Sequence, residues 1–217
     1  MNIIIVGDKY QKGMKSKGCA ALIKSKNRHT IIEQQYNVCK NIFPDSKIIY
    51  VGGFEFKKIQ LFLNENTNID IELIYNDHYE KYNDVYSLSL VSDYFDNDVL
   101  ITFGYNLLSN STFKNFIAND SSKVFIDQNS CLNIGCVIQN GVVSNITYDL
   151  PNSISNLYYL NKPDANVMAE YLTNEKYYNH FLFELINNLI DKNTTIHPHY
   201  INHHKTLKGQ HGYNKIK

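Results

Sequence analysis

The chain has no net charge to offer a polyanion: Lys and Arg together number 21, and so do Asp and Glu. A duplex-binding protein carries a basic excess or patch that phosphates attract, so neither nucleic acid nor a membrane surface is an expected partner. Only four cysteines occur, Cys19, Cys39, Cys131 and Cys136, and no two have C-x-x-C spacing. That spacing suggests neither a zinc site nor a disulfide framework, and reduced, partly buried thiols are the reading. Apolar runs are short. Met1 to Val6 runs straight into Gly7, Asp8 and Lys9, too short for a signal peptide or for the roughly 20 residues of a membrane span. A soluble, cytoplasmic protein is expected, or a virion-associated one if the source is viral. There is no internal repeat and no linker rich in Pro, Gly or Ser, so 1–217 is read as one domain. Tryptophan is absent while Asn, Lys, Ile and Tyr are heavily used, which reads as the coding bias of an AT-rich genome.

What is present suffices for a core, since 43% of the 217 residues are hydrophobic. Asn2 to Val6 reads as a buried first strand, followed by a Lys- and Gly-rich loop from Gly7 to Gly18. Thr30 and Glu33 form a T-x-x-E capping box that opens a helix toward Phe43. Lys47 to Val51 is a second strand closed by Gly52-Gly53, Phe56 to Leu63 a helix, and Ile69 to Tyr75 a strand. Helices are expected over Asp84 to Phe95 and Thr112 to Ala118, with strands over Val99 to Phe103 and Lys123 to Ile126. This alternation predicts a mostly parallel sheet covered on both faces. The pattern then changes: Cys136 to Val143 is a hairpin around Asn140-Gly141, a pair suited to a type I′ turn. Leu157 to Leu160 is a strand, and Asp164 to Leu172 and Tyr177 to Ile190 are helices, the second with Phe181, Leu185 and Leu189 on one face.

Several phrases in this order resemble the Rossmann-like, GT-A-type nucleotidyltransferases that make sugar nucleotides or CDP-choline. Val51-Gly52-Gly53-Phe54 is similar to the family's strand-Gly-Tyr step. Tyr75-Asn76-Asp77-His78-Tyr79 with Tyr82 to Leu88 resembles the segment beside the nucleotide base, notably in the choline-phosphate cytidylyltransferase branch. Val99 to Gly104 resembles the strand that leads to the metal-binding aspartate, and the hairpin and Leu157 to Leu160 match the later half. The resemblance covers nearly the whole chain and implies an α/β fold, Rossmann-like, with a mixed, mostly parallel sheet flanked by helices and a β-hairpin in the second half. It also implies a nucleotide-binding site built from Gly7, Asp8, Lys9, Lys12, Gly13, Lys17, Asn83, Ser87 and Gly104.

Nucleotidyl transfer sets a phosphate oxygen against the α-phosphorus of a nucleoside triphosphate. The developing charge calls for Mg²⁺ on carboxylates, with lysine, arginine and backbone amides on the phosphates. The family supplies a Gly-rich loop with an arginine, a proline followed by a lysine, an aspartate ending the central strand and a second aspartate near the C-terminus. Each place departs here. Gly7 to Gly13 has two glycines in another rhythm with Asp8 where phosphates approach, and Cys19-Ala20 stands for the proline–lysine pair. Tyr105-Asn106 stands at the strand end, and Thr206 to Lys217 has no carboxylate side chain. The expectation is a fold that has lost metal-dependent transfer and binds a nucleotide, a phosphorylated small molecule or a protein partner, another copy of itself included; in an AT-rich virus or phage it could serve in assembly. The alternative is an active enzyme moving a nucleotidyl group such as cytidylyl onto a phosphorylated sugar or choline, with Mg²⁺ as cofactor only in that case and Asp8 and Asn106 as substitute ligands.

Each candidate has a plainer reading. The lysines Lys9, Lys12, Lys15 and Lys17 bind phosphate or form a solvated loop. Asp8 takes a metal role or serves a turn or helix cap. Asn83 and Ser87 contact a base edge, or Asn83 or Asp84 caps the helix. His197, His199, His203 and His204 fit no standard ligand spacing and are expected at the surface. The Tyr and Phe residues, 17 and 11, are expected mostly in the core or half-buried, and exposed tyrosines would suit a protein–protein interface.

Overall fold

A computed structural model describes residues 1–118, 121–127, 134–201 and 205–207. The first strand, β1 (Asn2–Gly7), is a run of Ile and Val buried on both faces, as a central parallel strand requires. Around it assemble β2 (Lys47–Gly52), β3 (Glu72–Tyr75), β4 (Val99–Phe103), β6 (Ser122–Asp127), β9 (Ile154–Leu160) and β10 (Ile196–Ile201). The order across this seven-stranded sheet is β10-β6-β9-β4-β1-β2-β3. All pairs are parallel except those of β9, which runs antiparallel to both β4 and β6. The carboxyl ends of the six parallel strands therefore share one edge, at Gly7, Gly52, Tyr75, Phe103, Asp127 and Ile201.

Alternation along the strands sorts their side chains onto two faces. Ile3, Ile5, Ile48, Tyr50 and Leu100 pack with Ile32 and Cys39 of α1 (Ile31–Ile42) and Ile59 and Leu63 of α2 (Phe56–Glu65). Ile4, Val6, Ile49, Val51 and Ile101 pack with α3 (Asp84–Ser89), α4 (Lys162–Leu172) and α5 (Leu182–Asp191). Two small pairs complete the strands: β5 (Asn106–Leu107) with β11 (Lys205–Thr206), and the hairpin β7 (Ile134–Gln139) with β8 (Val142–Tyr148). This is the mixed, mostly parallel sheet with a later hairpin that the sequence leads one to expect.

Local signals hold where they are strong. Thr30 and Glu33 form the capping box, with Thr30 N donating to Glu33 Oε2 at 2.6 Å. Asn140 and Gly141 both take positive φ, 51° and 79°, as a type I′ turn demands. Pro198 sits in β10, an edge strand, the place in a sheet where proline is tolerated. Cys19, Cys39 and Cys136 are free and buried, and burial pushes the Cys39 thiol up to about 12; Cys131 lies outside the described residues.

Elsewhere the elements differ from the sequence reading. The helix expected over Asp84 to Phe95 stops at Ser89, whose hydroxyl takes the Tyr86 carbonyl at 2.7 Å, and resumes only as a 3₁₀ turn over Ser92–Asp96. Thr112 to Ala118 is not a helix: a 3₁₀ turn spans Asn110–Phe113, and Asn115 adopts φ 60°, which a right-handed helix cannot contain. The strand at Ile69 to Tyr75 shortens to Glu72–Tyr75 because pairing with β2 begins at Glu72. The last long helix starts at Leu182 rather than Tyr177, since Phe181 is extended and its N–H donates to Glu184 at 2.7 Å. Phe181 accordingly leaves the apolar face, 37% exposed, while Leu185 and Leu189 remain buried. Among the described residues no helix is long and apolar enough to cross a membrane.

Candidate functional site

The carboxyl edge of the sheet is where open α/β folds gather their functional groups. Its floor is Tyr50 of β2, fully buried, with its hydroxyl donating to the Gly7 carbonyl at 3.0 Å. A Cβ on Gly7 would lie 2.0 Å from that hydroxyl oxygen, and one on Gly104 only 3.0 Å from the Gly7 Cα. Both glycines are thus required by close packing of two strand ends on one ring. The Gly104 N–H closes the pair onto the Val6 carbonyl at 2.8 Å.

Asp8, the next residue, turns inward. It is 2% exposed, and its Oδ2 accepts from Ser87 Oγ at 2.7 Å and from Asn76 Nδ2 at 2.9 Å. Burial pushes its carboxyl above the ordinary value, against the Ser87 hydrogen bond and the nearby Lys9 charge, which pull the other way. Neither a turn nor a helix-cap role describes it; it is a buried acceptor joining β1, the end of β3 and α3. Ser87, fully buried, has its hydroxyl committed to Asp8. Asn76, not singled out by sequence reasoning, completes the triangle: its Nδ2 also reaches Ser87 Oγ at 3.1 Å and its Oδ1 accepts from His78 N.

Above this network the lysine loop lies across the edge. Phe54 N donates to the Asp8 carbonyl, the Tyr10 ring meets Phe54 edge-on at 5.2 Å, and Met14 anchors the loop in a small apolar cluster with Ala20, Ile23 and Ile31. Lys12, Lys15 and Lys17 are exposed along the rim, Lys15 with its ammonium 4.9 Å over the Tyr10 ring. Gly13 takes φ 75° in open space. Lys9 is different. It reaches over to Asn83, with Nζ donating to Oδ1 at 3.2 Å. Asn83 occupies the N-cap position of α3, yet its side chain makes no cap bond; its Nδ2 instead donates to the Asn179 carbonyl at 2.7 Å. The far end of the loop is held by Glu55, which accepts from Cys19 N at 2.8 Å and pairs with Lys58. Lys58 draws the Glu55 carboxyl below its ordinary value. Glu55 also escaped sequence reasoning; its only signal is its place after Gly52-Gly53.

At the end of β4, Tyr105 and Asn106 stand where the resemblance calls for an acid. Asn106 is fully buried, and its Nδ2 lies within hydrogen-bond distance of Thr102 Oγ1 (3.1 Å), the Ser155 carbonyl (3.3 Å) and the Asn156 carbonyl (3.0 Å). Its amide ties β4 to β9. Tyr105 takes a hydrogen bond from Asn156 Nδ2 at 3.1 Å, and burial followed by the Asp84 charge raises its phenol well above the ordinary range. A second acid, Asp127, is 1% exposed at the end of β6. It stands three strands from β1, roughly 14 Å by strand spacing, and cannot share an ion with Asp8. Among the described residues no three His, Cys, Asp or Glu side chains come together as a metal-holding group. His197 and His199 are half-buried, His199 edge-on to Phe125 at 4.7 Å; His203 and His204 lie outside the described residues.

The structure therefore brings Gly7, Asp8, Lys9, Asn83, Ser87 and Gly104 together, strings Lys12, Gly13 and Lys17 along the rim, and buries Asn106 beneath. Solved structures that share the fold include the following three. The CTP:phosphocholine cytidylyltransferase LicC of Streptococcus pneumoniae is 20% identical with TM-score 0.80, over 99% of this chain and 96% of that one. The inositol-1-phosphate CTP transferase of T. maritima is 11% identical with TM-score 0.79, over 97% and 90%. The nucleoside-diphosphate-sugar pyrophosphorylase of Vibrio cholerae RC9 is 14% identical with TM-score 0.75, over 100% and 99%. No curated protein matches the chain by sequence. The fold is that of the nucleotidyltransferases. Within it, a family model described as a domain of unknown function, DUF6564, matches residues 18–139, more than half of the chain, and the chain belongs to that family.

Proposed function

We propose that this protein binds the phosphates of a nucleotide or a phosphorylated small molecule at the carboxyl edge of its sheet and does not carry out metal-assisted nucleotidyl transfer. One observation carries the reading: the residue at the strand end, Asn106, is a fully buried amide whose Nδ2 is committed to Thr102, Ser155 and Asn156, and it brings no carboxylate to the edge. A neutral amide brings no charge to Mg²⁺, which is held through carboxylates and phosphates. Asp8 is a weak substitute, because it is buried, burial disfavours its charged form, and its Oδ2 already accepts from Ser87 and Asn76. The acids at the edge do not gather into a metal-holding group among the described residues.

The anion side of the chemistry is better supplied. Lys9 is held at the edge by Asn83, and Lys12, Lys15 and Lys17 are exposed beside it. In this arrangement Asp8, Ser87 and Asn76 are supports that fix the loop, and the lysines and loop amides make the contacts. A second reading, a working transferase, draws support from the near-complete overlap with a CTP:phosphocholine cytidylyltransferase.

The purified protein, incubated with each nucleoside triphosphate, Mg²⁺ or Mn²⁺ and a panel of sugar and choline phosphates, separates the two. The proposal expects a raised melting temperature with at least one nucleotide and no pyrophosphate release. Robust turnover that Asp8→Ala or Asn106→Ala abolishes would establish the transferase, and no shift with any nucleotide or any sugar or choline phosphate would end the binding reading.

A further inference from the structure

Asn83 joins three parts of the chain that are far apart in sequence. Its Oδ1 accepts from Lys9, 74 residues away, and its Nδ2 donates to the Asn179 carbonyl, 96 residues away. Its backbone N–H donates to the Tyr178 carbonyl at 3.0 Å, and Val85 N donates to the His180 carbonyl at 3.4 Å. The Tyr178 ring lies against Tyr86 at 5.0 Å and Tyr82 at 5.6 Å. The segment between α4 and α5 is thus docked on the start of α3, and the same amide that docks it holds the first lysine of the loop.

We infer that Asn83 is a positioning residue that couples anion binding at Lys9 to the docking of Tyr178–His180 on α3. The amide is chemically suited to this. It orients the Lys9 ammonium through one hydrogen bond and leaves its full charge for a ligand, whereas a carboxylate at this position would neutralise it. An anion that draws Lys9 away from Oδ1 removes one of the two bonds fixing the Asn83 side chain, and the Nδ2 bond to Asn179 loosens with it. The coupling is reciprocal: whatever firms the docked segment favours the parked lysine and opposes the anion. The coupling to a ligand rests on the anion-binding reading above, while the link between Lys9 and Tyr178–His180 does not.

Hydrogen exchange at the Asn83 and Val85 amides, which donate to Tyr178 and His180, reads the docking directly. Lys9→Met in the full chain is expected to speed exchange at both amides about three- to tenfold, the worth of one partly exposed hydrogen bond to a charge. Inorganic pyrophosphate added to the unaltered protein is expected to act in the same direction. Asn83→Asp is expected to weaken pyrophosphate binding about three- to tenfold and to flatten its salt dependence, an effect that a merely structural residue would not produce. Should pyrophosphate fail to bind while Lys9→Met speeds exchange, the anion reading falls and the structural coupling stands. Unchanged exchange in Lys9→Met, with the melting temperature retained, overturns the inference, as does bound pyrophosphate that leaves both amides unaffected.

Discussion

Replacing Asp8 with alanine removes the acceptor for two buried donors, Ser87 Oγ at 2.7 Å and Asn76 Nδ2 at 2.9 Å. A buried donor left without its partner costs about 1–3 kcal/mol, and the two donors here keep some recompense in each other at 3.1 Å. For a chain of this length each kcal/mol moves the melting temperature by about 2–4 °C, so a loss of roughly 2–12 °C is expected. The pH dependence is the sharper part. The folded carboxyl lies above its ordinary value of 3.8, chiefly through burial. The folded state therefore holds its proton at pH values where the unfolded chain has released it. Its contribution is full below 3.8 and declines as pH rises through the raised folded value. Melting of the unaltered protein and Asp8→Ala across this range should give a gap that is widest at the acid end and narrows toward neutrality. A gap that widens as pH rises would refute the reasoning, because it would mean that Asp8 is stabilised as an anion.

Two further substitutions probe the packing around the edge. Gly7→Ala drives a methyl to 2.0 Å from the Tyr50 hydroxyl oxygen and 2.3 Å from its Cζ, an overpacking expected to cost about 1–3 kcal/mol in thermal or urea melts. Adding Tyr50→Phe should not restore stability, because the ring carbon remains in the way, and full rescue by that change would contradict this packing. His199 lies below its ordinary value of 6.5 through burial and then the Lys123 charge, and its Nε2 is buried without a protein partner among the described residues. The unfolded chain protonates first, so this group's contribution is full above 6.5 and falls as pH drops toward the folded value. His199→Phe, which keeps a ring beside Phe116 and Phe125, should gain melting temperature relative to the unaltered protein as pH falls from about 7.5 to about 5. A pH-independent difference would show that His199 does not titrate differently on folding.

Much of the fold is legible in the chain because its signals are local. The Thr30–Glu33 box and the Asn140-Gly141 turn act over two to four residues, and β1 announces itself as an uninterrupted Ile/Val run ending at Gly7. The direction of β9 is not legible. Its seven residues are all buried, so no alternation reveals which way it runs or that it enters between β4 and β6. The turn over Asn110–Phe113 hides behind helix-like apolar spacing, and nothing local announces that Asn115 takes the positive φ that ends it.

The site divides in the same way. Gly7, Asp8, Lys9 and Gly104 follow strand ends, and strand ends can be found from the sequence. The pairing that defines what Asp8 does cannot: Asn76 and Ser87 lie 68 and 79 residues away, and the phrases that contain them point to a nucleotide base rather than to Asp8. Asn106 illustrates the reverse case. Its identity as an amide in place of an acid is plain in the sequence, but only the structure shows its Nδ2 bound to the start of β9.

In the proposed function a phosphate-facing loop keeps its cations beside a strand end that has lost its acid. Calorimetric titration with CTP, with Mg²⁺ present and then with the metal chelated, reads both halves at once. Metal bound to the triphosphate lowers the charge that the lysines can grip, so the predicted result is an affinity in Mg²⁺ no greater than that without it. Binding that requires Mg²⁺, or that strengthens about tenfold or more when it is added, would mean that the protein still holds the metal and would contradict the proposal.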